Sequence, residues 1–185
     1  MPMSLSGKIR ERICTSTTVH NLKEAIWDIF VNGLLASWIM PRAIRNTVLN
    51  CLCRSELLGS VSPHVYIQSR QFSLGRHSYI NRFSKICNGS APVQIGNDCA
   101  IAFDVTFCTD NHDYSSPVHR GGKVTGKAII VEDGVWIGAN CTILPGVRIG
   151  SGCVIGAGSV ISKDCAPHSL YMGNPAVKIR DLPQR

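Results

Sequence analysis

Aromatic residues are scarce in this chain: five Phe, three Trp and four Tyr among 185 residues. A core packed around large rings is therefore not expected, and small aliphatic side chains must fill it instead. Charged residues make up only 17% of the chain, with a positive excess of +7. The basic residues are scattered, with no interleaving of aromatic and basic positions, so nucleic acid is not an expected partner. A membrane span is missing too. In the apolar segment near the N-terminus the longest charge-free stretch runs from Ile29 to Pro41, short of the ~20 residues a bilayer needs. No secretory signal is evident at the N-terminus. The nine cysteines are odd in number, and Cys51-x-Cys53 has no second pair to complete a zinc site. Reduced thiols in a cytoplasmic protein, with no bound metal, are the expectation.

What the chain does have is a six-residue repeat. From Val131 to Ala166 the sequence reads VEDGVW, IGANCT, ILPGVR, IGSGCV, IGAGSV and ISKDCA. Each unit opens with Val or Ile, and the fifth place holds Val, Cys or Ser. A unit this short cannot bury its own apolar face, so neighbours must stack on it. Each hexad has room for one short strand and one corner. Three sides close a turn of eighteen residues, which makes the predicted fold an all-β solenoid, a parallel β-helix with strands ~4.8 Å apart. The same phase recurs upstream at Leu74, Ile80 and Ile86, and again at Ile95, Ile101 and Phe107, around a short insertion from Asn88 to Pro92. A β-sandwich would instead alternate, with turns every 8–12 residues. Cys99, Cys141, Cys153 and Cys165 occupy fifth places, where they act as small buried hydrophobes.

After His112 the phase is lost until about Ile130, so residues 113–127 are predicted to leave the coil as an exposed loop. Before the coil, Ala25, Ile26, Ile29, Phe30, Leu34 and Leu35 recur at helical intervals, and Pro41 opens a second helix through about Cys53. The expected organisation is a helical segment over residues 1–60, a β-helix over 61–172 with its loop, and a tail over 173–185. The helices are expected to cover the open end of the coil or a neighbouring subunit, with a membrane surface as the alternative.

These hexads, a histidine just before an excursion loop, and the closing Gly173-Asn174-Pro175-Ala176 resemble the hexapeptide-repeat acyltransferases, in particular the sugar O-acetyltransferases. The likeness covers about residues 65–182. It implies a left-handed winding, against the usual crossover hand, and a homotrimer with active sites between subunits. It implies acetyl-CoA as cosubstrate and His112 as the general base. An alcohol is a poor nucleophile near neutral pH, and an imidazole can take its proton and return it to the leaving thiolate. Asp110, Asp113 or a backbone carbonyl would orient that ring.

The resemblance also places the Ala139 amide at the acetyl carbonyl and Trp136, expected to point outward, at the acyl and acceptor cleft. Ala157 and Gly158 fall where the family pairs backbone with pantetheine. Lys163 and Arg180, helped by Lys178 and Arg148, fall near the phosphates, and the positive charge suits such an anion. On the acceptor side stand Tyr79, Asn81 and Asp110. The family's acceptor-binding aspartate has no counterpart, because the insertion reads NGSAP. A simple galactoside or maltose is therefore not the expected acceptor; a polysaccharide precursor or glycosylated metabolite fits, under a loop carrying His119 and Arg120. Three rivals are an antibiotic O-acetyltransferase on the same scaffold, a γ-type carbonic anhydrase using His77, His112 and His119, and a non-catalytic trimeric scaffold.

Overall fold

The computed structural model describes residues 22–53 and 57–184. The first part of the expected N-terminal segment, with the signal-peptide reading and Cys14, lies outside the described residues. Residues 22–27 are α-helical and run directly into a π-helical stretch, Asp28–Leu35; together they form α1. Helix α2 is Arg42–Leu52, opened by Pro41, which suits a helix start because its missing N–H has no intrahelical partner there anyway.

The β region is built in circuits. Strands β1 (Ser60–Val61), β2 (Tyr66–Ile67) and β3 (Phe72–Leu74) make the first. The second holds β4 (Tyr79–Ile80), β5 (Lys85–Cys87) and β6 (Val93–Ile95), and the third β7 (Ala100–Ile101) and β8 (Thr106–Cys108). The chain then leaves through β9 (Asp110–His112) and returns through β10 (Val124–Gly126). It resumes with β11 (Ile129–Val131), β12 (Trp136–Ile137), β13 (Thr142–Ile143), β14 (Arg148–Ile149), β15 (Val154–Ile155) and β16 (Val160–Ile161). A final hairpin, β17 (Ser169–Gly173) and β18 (Ala176–Asp181), closes the chain.

Three sheets are visited in rotation: β3-β6-β11-β14, β1-β4-β7-β12-β15-β17-β18, and β2-β5-β8-β13-β16. Within the first and third, and as far as β17 in the second, every pairing is parallel. Trp136 lies in register with Val154 and Thr142 with Val160, eighteen positions on in each case. Tyr79 pairs with Ala100, twenty-one on, because the Asn88–Pro92 insertion lengthens that circuit. Buried Asn88 ties the insertion down: it accepts from the Ser69 amide at 2.9 Å and donates to the Gln71 carbonyl at 2.8 Å.

The hexad openers form the core, with Ile80, Ile101, Ile137, Ile143 and Ile149 all at 0% exposure. The fifth places lie inside as well; Cys141 directs its thiol at the Gly156 carbonyl, 3.1 Å away. Three features depart from the sequence reading. The coil starts earlier, since Leu57 bridges to Leu74 and β1 and β2 stack beneath β4 and β5. The excursion is not all loop, because β9 and β10 pair antiparallel at its base. Within the expected tail over 173–185, residues 176–181 form the last strand of the second sheet, entered through a cis Asn174–Pro175 bond.

Buried Arg45 fastens α2 to the end of α1. Its guanidinium donates to the carbonyls of Leu35 (2.5 Å), Ser37 (2.5 Å) and Met40 (3.0 Å), at and just past a helix end where carbonyls lack intrahelical donors. Among the described residues no helix is long and apolar enough to cross a membrane.

Candidate active site

His112 ends β9, where the chain turns away from the coil, and its side chain is exposed. The ring lies with Nδ1 3.0 Å from the Gly122 carbonyl across the ribbon. A carbonyl only accepts, so Nδ1 carries the proton and donates. Neutral imidazole then presents Nε2 as the acceptor, the arrangement a proton-abstracting base needs. Neither nearby carboxylate performs this task. Asp110 accepts from the Ser90 amide (2.9 Å) and the Thr109 hydroxyl (3.1 Å). Asp113 accepts from the Ser115 amide at 2.9 Å, and that bond, with the Ser115 hydroxyl, holds its carboxyl below the ordinary range. At the loop tip the Arg120 guanidinium donates to the Tyr114 carbonyl (2.7 Å) and the His119 amide to the Ser116 hydroxyl (3.3 Å).

A second group of residues lies at the corner between β12 and β13. Ala139-Asn140 and Ala157-Gly158 form the same corner one circuit apart, each with a positive φ at its second residue (58° and 72°). The Gly158 amide donates to the Ala139 carbonyl at 2.8 Å, so it is not available to a ligand as the sequence reading expected. The Ala139 and Ala157 amides make no hydrogen bond among the described residues. They form a short ladder of open donors. Gly138 lets the two circuits close up, since a Cβ there would lie 2.6 Å from the Ala157 nitrogen.

Trp136 points outward and is 55% exposed. It shares a column with Tyr79, because both pair with Ala100 from opposite sides. At ~4.8 Å per strand the two rings stand about 10 Å apart over an alanine-floored notch. Asn81 is spent locally; its amide donates to the Ile101 carbonyl at 3.2 Å, which supports the corner. Lys163 and Lys178 line one cavity of about 380 Å³ beside the final hairpin, with Tyr171 and Pro175. Lys178 is held by Asp181 at 2.6 Å, and Arg148 by Glu132 at 2.8 Å. Arg180 is exposed on β18, opposite Leu170. His77 pairs with Asp98 at 3.1 Å.

A single chain does not bring these groups together. The Asn140 amide bonds to the Phe103 carbonyl, so Ala139 stacks at the corner that precedes β8. His112 lies beyond the far end of that strand. His112 and the amide ladder therefore occupy opposite ends of one sheet face.

Comparison with known proteins gives this arrangement a context. Residues 128–163 match the bacterial transferase hexapeptide family, described as six repeats. A putative acetyltransferase of Dictyostelium discoideum is 33% identical over 135 residues, which is 69% of this chain and 70% of that protein. The chain belongs to the hexapeptide-repeat acetyltransferases. Galactoside O-acetyltransferase of Escherichia coli is 34% identical over 126 residues, 68% of this chain and 62% of its own length. A solved galactoside acetyltransferase in complex with coenzyme A superposes with a TM-score of 0.77 at 26% identity, over 98% of this chain and 92% of that one. Two of the curated relatives are spanned over only 44% and 62% of their own length.

In this hexapeptide-repeat protein the sequence reading missed two groups. The Gly122 carbonyl has no side chain to announce it. The wall of Trp27, Gln68 and Arg70 comes from separate segments, which meet where the Trp27 indole donates to the Ile67 carbonyl (2.6 Å) and Asn32 bonds both the carbonyl and the amide of Ile67.

Proposed function

We propose that this chain is an acetyl-CoA-dependent O-acetyltransferase that acylates a hydroxyl of a sugar or glycan precursor, with His112 as general base. The observation that carries the reading is the Gly122 contact, which favours the Nδ1–H tautomer of His112 and so leaves Nε2 as an acceptor. Acetyl-CoA supplies an activated acyl carbon on a thiol leaving group. His112 takes the acceptor's hydroxyl proton as the new C–O bond forms and gives it to the departing sulfur as the C–S bond breaks. The open Ala139 amide suits charge developing on the acyl oxygen, and the open Ala157 amide suits an amide of the pantetheine arm. Lys163, at its cavity, suits the phosphates, with exposed Arg180 as a second cation.

In this reading the coil winds left-handed and the protein works as a homotrimer. The separation of His112 from Ala139 within one protomer supports it, since a neighbouring subunit can supply the missing half, with Trp136 and Tyr79 at the same cleft. The described cysteines are all free, which suits a cytoplasmic protein.

The test is thiol release from acetyl-CoA by wild type and His112→Ala, across sugars, nucleotide sugars and hydroxylated antibiotics. Acceptor-dependent release that falls at least ~100-fold in the variant, with coenzyme A affinity unchanged, is expected. Near-normal turnover in His112→Ala removes the mechanism. Failure of the wild type to bind coenzyme A by calorimetry would leave only a scaffold.

A further inference from the structure

The inner faces of α1 and α2 pack on the coil, where Val31, Leu35 and Leu49 join the core cluster. The turn between the two helices does the opposite. Trp38 is 74% exposed and Ile39 is 75% exposed, and Ile44 in the first turn of α2 is 51% exposed. Clustered apolar groups held out in water mark a surface that something else covers. The Ala36 carbonyl accepts from the His64 amide at 2.7 Å, so this apolar tip sits against the first circuit, at the N-terminal end of the coil.

The backbone around the tip finds its partners within the chain. The Leu34 and Ser37 carbonyls accept from the Ser37 and Met40 amides, and the Pro41 carbonyl accepts from the Arg45 amide. The Arg45 guanidinium serves the carbonyls of Leu35, Ser37 and Met40, and the Ile39 amide donates to the Ser37 hydroxyl. Pro41 has no N–H to satisfy. A turn facing water needs none of this, because water completes its carbonyls; a turn placed where water is scarce does. The same bonds fix the backbone that carries Trp38 and Ile39.

Charge selects the medium. Between Asp28 and Glu56 there is no acidic residue, and Arg42 stands exposed four positions after Trp38. Asp28, ten positions before Trp38, accepts from Asn32 at 2.8 Å. An apolar tip with a cation beside it and no carboxylate in its own turn is complementary to a bilayer of negative surface charge. Acyl chains receive the isoleucine, phosphates meet the guanidinium, and an indole suits the boundary between them.

We propose that the α1–α2 turn is a membrane-contact site, in which Trp38 and Ile39 enter the headgroup boundary of an anionic bilayer and Arg42 pairs with lipid phosphate. The chain lies on the surface through this tip and does not span it. The contact is separate from His112 and the amide ladder and stands whether or not the transferase reading does. In the homotrimer proposed above, cyclic symmetry puts three such tips at one height along the axis, and binding one lipid surface through all three raises the affinity.

Vesicles of phosphatidylcholine, with and without phosphatidylglycerol, test this on the full-length protein by flotation. Saturable binding to the anionic vesicles is expected. The double variant Trp38→Ser, Ile39→Ser leaves the net charge unchanged and should weaken binding at least ~10-fold. Arg42→Gln should weaken it several-fold at low salt and less at high salt. Vesicles with brominated acyl chains should quench the tryptophan fluorescence of wild type, and that quenching should be lost in Trp38→Phe. Both substituted side chains are exposed, so the variants keep the fold, which circular dichroism checks. Absence of vesicle binding overturns the proposal. Binding that the double variant retains also overturns it, and assigns the attraction to the +7 charge of the whole chain. A double variant whose oligomeric state differs from wild type by light scattering makes the tip a subunit contact instead, which likewise overturns it.

Discussion

Gly122 and His112 face each other across the base of the excursion, carbonyl to Nδ1, at 3.0 Å. The contact sets the tautomer without placing a carboxylate beside the ring, so the imidazole is oriented by a neutral dipole. Its geometry depends on the ribbon: β9 and β10 pair from Asp110–Gly126 to His112–Val124, and the Gly122 amide continues the ladder to the Asp113 carbonyl at 3.0 Å.

That ladder leaves no space for a side chain at 122. A Cβ there would lie 2.7 Å from the Asp113 oxygen, so Gly122→Ala must shift the strand and move the carbonyl off Nδ1. Turnover is expected to fall about ten-fold or more, because a base held in the wrong tautomer presents a proton where a lone pair is needed. Coenzyme A affinity measured by calorimetry should not change. Gly121→Ala is the control: its Cβ meets nothing within 4 Å, and wild-type rates are expected.

Phosphate recognition makes a separate prediction. Lys178 is committed to Asp181, so Lys163 is the ammonium at that cavity left for an anion. Lys163→Ala should weaken coenzyme A several-fold and weaken a dephospho analogue less, as measured by titration calorimetry. Equal losses for both ligands would reject a phosphate role. The gap should narrow as salt is raised, since an exposed charge pair is screened.

The coil was legible because its constraint is local and repeated. Ile137, Ile143 and Ile149 must each point inward in a flat strand of the same length, and that requirement imprints a fixed period. The first circuit obeys the same geometry but not the same spacing: from Leu57 through Val61 and Ile67 to Leu74 the intervals are four, six and seven, so one six-residue step stands alone and no run of hexads can be read. The ribbon was illegible for another reason. Asp-Asn-His and Val-Thr-Gly bury nothing, and a two-stranded ribbon held by backbone bonds leaves no apolar alternation to read. The candidate site divides in the same way. Counting from hexad starts put His112 at a coil edge and Trp136 on the outer face, and the family resemblance singled out Ala139, whereas the Gly122 carbonyl and the Trp27–Arg70 wall depend on segments meeting across the fold.

Arg45 is a residue that composition would place at the surface, yet it is 1% exposed and bonds three carbonyls. Burial lowers its pKa, with nearby Arg42 adding to the effect, yet an arginine remains charged. Arg45→Met keeps the packing but removes the side-chain donor from the carbonyls of Leu35 and Met40, and from the Ser37 carbonyl, which keeps the Met40 amide. A loss of at least ~3 kcal/mol is expected, given the cost of stranding buried polar groups. Arg45→Lys should recover only part of it, since one ammonium lacks the guanidinium's fork. Denaturant melts give the magnitude, and faster amide exchange over residues 28–52 should localise it. A Met variant within 1 kcal/mol of wild type would show that the three bonds contribute little.

Two buried cysteines, Cys165 at a fifth place and Cys53 at the end of α2, give the chain a pH dependence of predictable sign. Burial pushes the Cys165 thiol up to about 12, with Cys153 and Asp164 adding to it, and burial pushes Cys53 up to about 11 against a smaller opposing effect of Arg70. In the unfolded chain these thiols ionise near 9. Below that pH both states hold the proton and the stability is fully present. As pH rises from 9 toward 11–12 the unfolded chain gives up protons that the folded one retains, so stability falls. Val135 and Val147 occupy the same slot in neighbouring hexads, which makes Cys165→Val a conservative replacement without the ionisation. Wild type and variant should have similar urea midpoints at pH 8, and the variant should lose less between pH 9 and 11. Parallel decline of the two proteins over that window would assign the alkaline loss to lysines and tyrosines instead of to this thiol.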